Sequence, residues 1–248
     1  MFNLKLWWDK LQANRLINKS QRYIKKKLSY HEAGHLVMSY LLGIKCQYIQ
    51  VIYDRIDQEQ VVNGQLYLTP EFKSESQVYH LLPPEMNLVL HSSYTGIVKV
   101  AKQFKRSEDE IWLEVIKYLI ILLAGKYSDA TFWNEIKDDK MEVFLIKYSQ
   151  DLTTRNIKED VTRAKFILNQ LTNDNKLKNR VIKTVEDFLN YYFQQRQVKS
   201  LIDEFAKKAY KQKRIDQPEI ESIFDKAGFM TYCNDQQSEM SNLLQFVA

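Results

Sequence analysis

The chain has 248 residues, 45% hydrophobic and 27% charged, so it is long enough for a folded core and too apolar for a disordered protein. Six glycines and four prolines are few for this length, which favours a mostly helical fold. Two cysteines exclude a disulfide framework and a cysteine-built zinc finger, and the net charge of +5 is concentrated at the N-terminus.

The N-terminal segment is strongly basic. Residues 1–28 carry eight Lys or Arg and one Asp, and the other 220 residues sum to −2. We interpret residues 1–19 as a basic amphipathic arm, 20–228 as one domain and 229–248 as a C-terminal tail. The Trp-containing arm predicts peripheral contact with a membrane surface, with a solvated helix packed on the body as the alternative. The near-neutral body argues against nucleic-acid binding.

The sequence also bears on the location of the protein. Without a run of about 18 apolar residues or a secretory signal, we expect a cytoplasmic location.

The first half of the chain predicts one helix and one hairpin. Residues 20–42 have the pattern of a helix that ends at Gly43. Residues 47–53 are rich in β-branched and aromatic side chains, which predicts a strand. Asn63-Gly64 is a hairpin signal, with 65–68 as the returning strand and Thr69-Pro70 as its end. We expect loop and short helices over residues 71–109.

The second half predicts helices. Apolar residues recur at helical spacing over 111–126 and 157–171, and residues 127–156 have no clear pattern. A long helical stretch follows over 178–213 with a break near 194–197, and Asp216 caps a last helix that ends near Gly228. The sequence therefore predicts a mainly α (α+β) fold, with a small antiparallel or mixed sheet beside the first helix.

An HExxH motif, His31-Glu32-Ala33-Gly34-His35, lies inside the first predicted helix. Residues four apart share a helix face, so both imidazoles can bind one ion. Zinc lowers the pKa of a bound water to about 7, and Glu32 can take the proton of that water as it attacks a carbonyl. The motif therefore predicts a zinc site suited to peptide hydrolysis. Gly34, unfavourable inside a helix, predicts a close approach by another segment.

A catalytic zinc takes a third protein ligand, which must come from elsewhere in the chain. The chemistry of the side chains allows His80, His91, Asp151, Glu159 and Asp160, and spacing does not choose among them.

Several segments, in order, resemble the peptidase domain of FtsH-type ATP-dependent zinc metalloproteases. The run LSYHEAGHLV resembles the helix that opens this domain. QYIQVIY and GQLYLTP resemble the strand and returning segment that follow. LLAGKYSDATF is similar to the family's LLGGRAAEE helix, TTRNIKEDVTRAKFIL to its TTGASNDLERAT stretch, and LIDEFAKKAYKQKRIDQPEIESIF to its closing helices. The resemblance covers residues 20–228.

The resemblance implies that His31, His35 and Asp160 bind Zn²⁺ and that Glu32 is the catalytic base, because Asp160 matches the family's third ligand. Asp160 also begins a predicted helix, where the helix dipole would favour a carboxylate without any metal. The family context implies a polypeptide substrate, a homohexamer and an AAA ATPase. We expect the chain either to use a separately encoded ATPase or to cut peptides, flexible tails and unfolded chains by itself. We therefore expect a zinc-dependent endopeptidase that hydrolyses unfolded or flexible polypeptides. Substrate would lie along a sheet edge, formed by residues 47–53 or by the strand after Gly64.

The chain departs from the family pattern in three ways, and two of them, the altered interval before Asp160 and the missing ATPase module, support an alternative function. The interval before Asp160 is one residue longer and lacks its glycine, which keeps Glu159 and Asp151 as alternative ligands. Tyr127 and Asp129 replace small residues after LLAG, so packing there must differ. The resemblance includes no ATPase module. The alternative is a catalytically weak or inactive peptidase-fold module that regulates or binds an AAA-type protease.

Overall fold

The structure is a computed structural model that describes residues 4–62, 65–80, 96–135, 153–236, 238 and 241. The described residues are mostly helical, with one small antiparallel sheet. This confirms the prediction of a mainly α fold with a small sheet. In chain order its elements are α1 (Leu4–Leu41), β1 (Cys46–Val62), β2 (Gln65–His80), α2 (Ile97–Phe104), α3 (Glu108–Glu135), α4 (Thr153–Leu171), α5 (Asn175–Tyr192), α6 (Arg196–Gln212), β3 (Arg214–Asp216), α7 (Gln217–Lys226) and α8 (Phe229–Asp235).

Helix α1 is the centre of the fold. It packs against α3, α6 and β1, and every residue from 27 to 42 is buried. A helix that is buried on all sides must be enclosed by other elements, and its polar residues must find partners there. The HExxH motif therefore lies inside the protein and not on its surface. The helix begins at Leu4 and not at residue 20 as predicted, because residues 4–19 contain neither Gly nor Pro to end it.

The sheet has the strand order β2–β1–β3 and is antiparallel throughout. The predicted hairpin is confirmed in its strands, since Val62 pairs with Gln65; the Asn63-Gly64 turn lies outside the described residues. The prediction that Thr69-Pro70 ends the returning strand is wrong, because β2 continues to His80. Proline lacks an N–H but is tolerated in an edge strand, and β2 is at the edge of this sheet.

In the second half of the chain the helices follow the predictions, but some of them end at other residues than predicted. The break near 194–197 is confirmed between α5 and α6. Helix α7 ends at Lys226, close to the predicted end, and Gly228, with a φ of 61°, lies between α7 and α8. Helix α3 extends to Glu135, over part of the segment left unassigned. The predicted tail begins with α8, whose Phe229 and Cys233 are buried, so this segment adds to the core. Among the described residues, no helix is long and apolar enough to cross a membrane.

Both cysteines should be unreactive in the folded protein. Cys46 is fully buried and Cys233 is 8% exposed, and burial raises their pKa values to about 12 and about 11. Because the thiolate is the reactive form, we expect thiol titration with Ellman's reagent at pH 8 to proceed at least about 100-fold faster in guanidinium than in buffer. Rapid modification of either thiol in the native protein would contradict this packing.

Candidate metal centre

The two histidines of the HExxH motif lie side by side on α1. His31 is 3% exposed and His35 is 7% exposed, and their ring centroids are 4.6 Å apart at an angle of 84°. Glu32 is also buried, and its charge acts on both imidazoles. One helical turn therefore places the two imidazoles on one face of α1, inside the protein, with the buried carboxylate of Glu32 close enough for its charge to act on both.

Helix α3 crosses α1 at very short distance. A Cβ atom on Gly34 would lie 2.6 Å from Cβ of Ser128 and 2.9 Å from the carbonyl oxygen of Ala124. The hydroxyl of Ser128 donates a hydrogen bond to the carbonyl of Tyr30, which fixes the crossing. The predicted close approach at Gly34 is therefore confirmed, and α3 is the segment that approaches.

Gly125 on α3 leaves the space beside the imidazole nitrogens. A Cβ atom on this residue would lie 2.6 Å from Nε2 of His31 and 2.6 Å from Nε2 of His35. Ordinary contacts to a Cβ are 3.4–4 Å, so any other L-residue would push into the rings. The glycine thus keeps open the place where an ion bound by both Nε2 atoms would lie.

Asp160 on α4 completes the group. Its Oδ2 lies 3.1 Å from Nε2 of His31 and 3.6 Å from Nε2 of His35, and one ligand atom from each of the three residues lies within 4.8 Å of the others. Asp160 lies about two turns into α4, so the prediction that it begins a helix is wrong. The helix dipole acts within the first turn and does not explain a carboxylate at this position.

The other candidate ligands are not placed by the structure. Asp151 and His91 lie outside the described residues. The backbones of Glu159 and His80 belong to α4 and β2, but their side chains lie outside the described set. Among the described residues, the His31–His35–Asp160 group is therefore the one that offers three metal ligands together.

Both imidazoles are held through their Nδ1 atoms. Nδ1 of His31 lies 3.2 Å from Oδ2 of Asp129, and Nδ1 of His35 lies 2.6 Å from the carbonyl oxygen of Ile121. When Nδ1–H donates to these acceptors, the lone pair of each Nε2 points toward the Asp160 side. Such outer partners orient the imidazoles of metal sites.

Asp129 is the site residue that the sequence analysis missed. It was noted only as a bulky replacement, although it lies one turn after Gly125 on the same helix. The sequence signal that could have identified Asp129 was its position, because it is an acidic residue on the same helix face as Gly125.

Asp129 has one further charged neighbour. Lys27, one turn before His31 on α1, lies 3.7 Å from Oδ2 of Asp129, and both side chains are buried. Oδ1 of Asp129 is buried without a hydrogen-bond partner among the described residues.

Acidic groups lie close to both imidazoles. Asp129 and Asp160 contact the rings, and the charge of Glu32 also acts on them. Lys27 is paired with Asp129, and both side chains are buried. Carboxylates beside two ring nitrogens would favour a cation at this place.

The electrostatics of the imidazoles agree with this reading. Burial disfavours a charge on His31, but its hydrogen bonds to Asp129 and Asp160 outweigh that and raise its pKa to about 10. Burial also opposes a charge on His35, and the hydrogen bond to Asp160 prevails and raises its pKa. Burial works against ionisation of Asp160, but both imidazoles hold its pKa well below the usual range. The carboxylates that attract protons to these rings would equally attract a metal ion.

The donor set fits zinc. Two imidazole nitrogens and one carboxylate oxygen are the ligand types of a catalytic zinc site, which keeps a fourth position for water or substrate. The absence of a side chain at Gly125 and the close grouping of the three ligand atoms are consistent with that ion. Comparisons of this chain with protein-family models, with curated proteins and with solved structures found no match.

Proposed function

We propose that this protein is a zinc-dependent endopeptidase that hydrolyses unfolded or flexible polypeptides. His31, His35 and Asp160 would hold the zinc, and Glu32 would act as general base. The observation that supports this most strongly is the convergence of one ligand atom from each of His31, His35 and Asp160, with Gly125 beside both ring nitrogens.

The chain's own residues supply most of the chemistry. Zinc, when bound, would acidify a water molecule and polarise the carbonyl of the scissile peptide bond. Glu32 follows His31 directly, so its carboxylate can take the proton of the attacking water and deliver it to the leaving amine. Asp129 and the carbonyl of Ile121 fix the rings of the two histidines, so that the ligands need no rearrangement during the reaction.

An extended substrate would pair with the outer edge of β2. The sequence offered two possible edges, residues 47–53 and the strand after Gly64. Residues 47–53 lie in β1, the middle strand, whose residues Tyr48–Gln50 pair with β3 on one side and which pairs with β2 along the other. The strand after Gly64 is β2, which has an outer edge. Pairing through backbone hydrogen bonds depends little on side chains, which suits a broad range of unfolded sequences. Folded substrates would require a separately encoded ATPase, and the family resemblance favours a homohexamer.

The test of this function is the Glu32→Gln variant. The substitution keeps the size of the side chain and leaves the three ligands in place, but the amide cannot accept the proton. We expect the wild-type protein and the variant to bind one zinc per chain, and cleavage of unfolded casein to fall at least about 1000-fold in the variant, within the range of a lost general base.

The metal content and the cleavage rate should be measured on the same preparations, with the wild-type protein treated with a chelator as a second control. Equal cleavage by wild type and Glu32→Gln would refute the proposed mechanism. Zinc bound at full occupancy with no cleavage by the wild type would favour the alternative, a metal-binding module that regulates another protease.

A further inference from the structure

A buried lysine lies beside the metal centre and has no role in the mechanism described above. Lys27 is on α1, one turn before His31, and its side chain is 8% exposed. A charged ammonium is rarely buried in a protein unless it has a partner of opposite charge, because its removal from water costs free energy. The partner of Lys27 therefore indicates what this residue does.

Two rows of residues meet where α1 crosses α3. The members of each row are four apart and so lie on one face of their helix: Lys27, His31 and His35 on α1, and Ile121, Gly125 and Asp129 on α3. At one end of the rows, Nδ1 of His35 contacts the carbonyl oxygen of Ile121. At the other end, the carboxylate of Asp129 contacts both His31 and Lys27. Lys27 therefore belongs to the same row as the two imidazole ligands.

Lys27 and His31 share one oxygen of Asp129. Oδ2 of Asp129 lies 3.7 Å from Nζ of Lys27 and 3.2 Å from Nδ1 of His31. Oδ1 is buried and has no hydrogen-bond partner within the described part of the chain. The direction of the carboxylate therefore depends on the contacts of Oδ2, and the ammonium is a charged contact at the same oxygen that orients the ring of His31.

We propose that Lys27 is a positioning residue of the metal centre, which fixes Asp129 so that this carboxylate holds the ring of His31 in the orientation for binding zinc. The inference rests on the zinc site of the proposed function and does not depend on peptide cleavage. Loss of an outer partner of a metal ligand typically lowers metal affinity about 10- to 100-fold. Because Lys27 acts one contact further out than Asp129, its effect should be at the lower end of that range.

The direction of the change in zinc affinity separates positioning from simple repulsion. Lys27 and the metal ion are both positively charged, so through charge alone the removal of Lys27 would raise zinc affinity. Positioning predicts the opposite, because a loosened Asp129 would let the ring of His31 turn away from the ion. We expect Lys27→Met to lower zinc affinity about 10-fold, measured on the full-length protein by competition with a chromophoric chelator. Lys27→Arg, whose guanidinium can still pair with the carboxylate, should stay within about threefold of the wild type.

Lys25→Met is the matched control for the loss of a lysine from α1. Lys25 lies two residues before Lys27, on the opposite side of the helix, and its Nζ lies over the ring of Tyr210 at 5.1 Å from the centroid. This variant should bind zinc as the wild type does.

A double variant shows whether Lys27 acts through Asp129. Asp129→Asn should itself lower zinc affinity about 10- to 100-fold, and the addition of Lys27→Met should lower it no further, because the ion pair is already lost. Unchanged or higher affinity in Lys27→Met, or a further loss in the double variant, would overturn the proposal. If Lys27→Met leaves Asp129 without this ion pair and does not fold, the double variant carries neither charge, and its comparison with Asp129→Asn decides.

The wild-type measurement distinguishes failure of this role from failure of the peptidase function. A wild-type protein that binds no zinc would refute the metal site and the role of Lys27 together. A wild-type protein that binds zinc and does not cleave would refute the peptidase function alone, and the affinities of the Lys27 variants would still decide the role of this residue.

Discussion

Replacing Gly125 with alanine should abolish zinc binding although every ligand remains in the chain. The added methyl group would lie 2.6 Å from both Nε2 atoms and 2.4 Å from Cε1 of His31. To restore an ordinary contact the rings must move by roughly 1 Å, and such a displacement of a positioned group costs about 100-fold. We therefore expect zinc affinity to fall at least about 100-fold, and casein cleavage to be lost with it.

The sign of the stability change makes this test specific. Alanine is better than glycine inside a helix by about 1 kcal/mol, so propensity alone would raise the melting temperature of Gly125→Ala. A lower melting temperature would instead report the clash with the buried imidazoles. Lys126→Ala is the matched control, since Lys126 is the exposed neighbour of Gly125 on the same helix. Full zinc occupancy in Gly125→Ala would show that an ion does not lie where we place it.

The sequence predicts a metal centre only as far as local structure determines it. His31, Glu32 and His35 are positioned by one helical turn, so their spacing is sufficient to predict them. Asp160 is 129 residues from His31, and no periodicity relates two distant segments. Spacing therefore left five candidates, and only the family resemblance selected Asp160. Asp129 was missed for the same reason, because its role depends on how α3 crosses α1.

The ends of helices and strands can also be predicted only where local residues determine them. A helix continues until some residue stops it, so the stop at Gly43 was predicted while the start of α1 at Leu4 was not. Pro70 predicts the end of a strand because proline cannot donate a backbone hydrogen bond. Whether that matters depends on whether the strand has a neighbour on that side, and the strand order of a sheet is a tertiary property.

Replacing Asp160 with asparagine should remove the proposed third ligand with almost no change in shape. The amide keeps one oxygen but no negative charge, so its attraction for a divalent cation would be much weaker. Loss of an outer-shell partner weakens metal binding 10–100-fold, and loss of a direct ligand should cost more. We expect the zinc affinity of Asp160→Asn, measured by competition with a chromophoric chelator, to fall by more than about 100-fold, with cleavage reduced in parallel.

Glu159→Gln is the matched control, because it removes the neighbouring carboxylate that the sequence left as an alternative ligand. A helix turns by about 100° per residue, so positions 159 and 160 of α4 lie on different faces, and only one of them can be directed at the imidazoles. Glu159→Gln should therefore bind zinc as the wild type does. The opposite result, with zinc lost in Glu159→Gln and kept in Asp160→Asn, would mean that α4 is rotated by one residue and that Glu159 is the ligand.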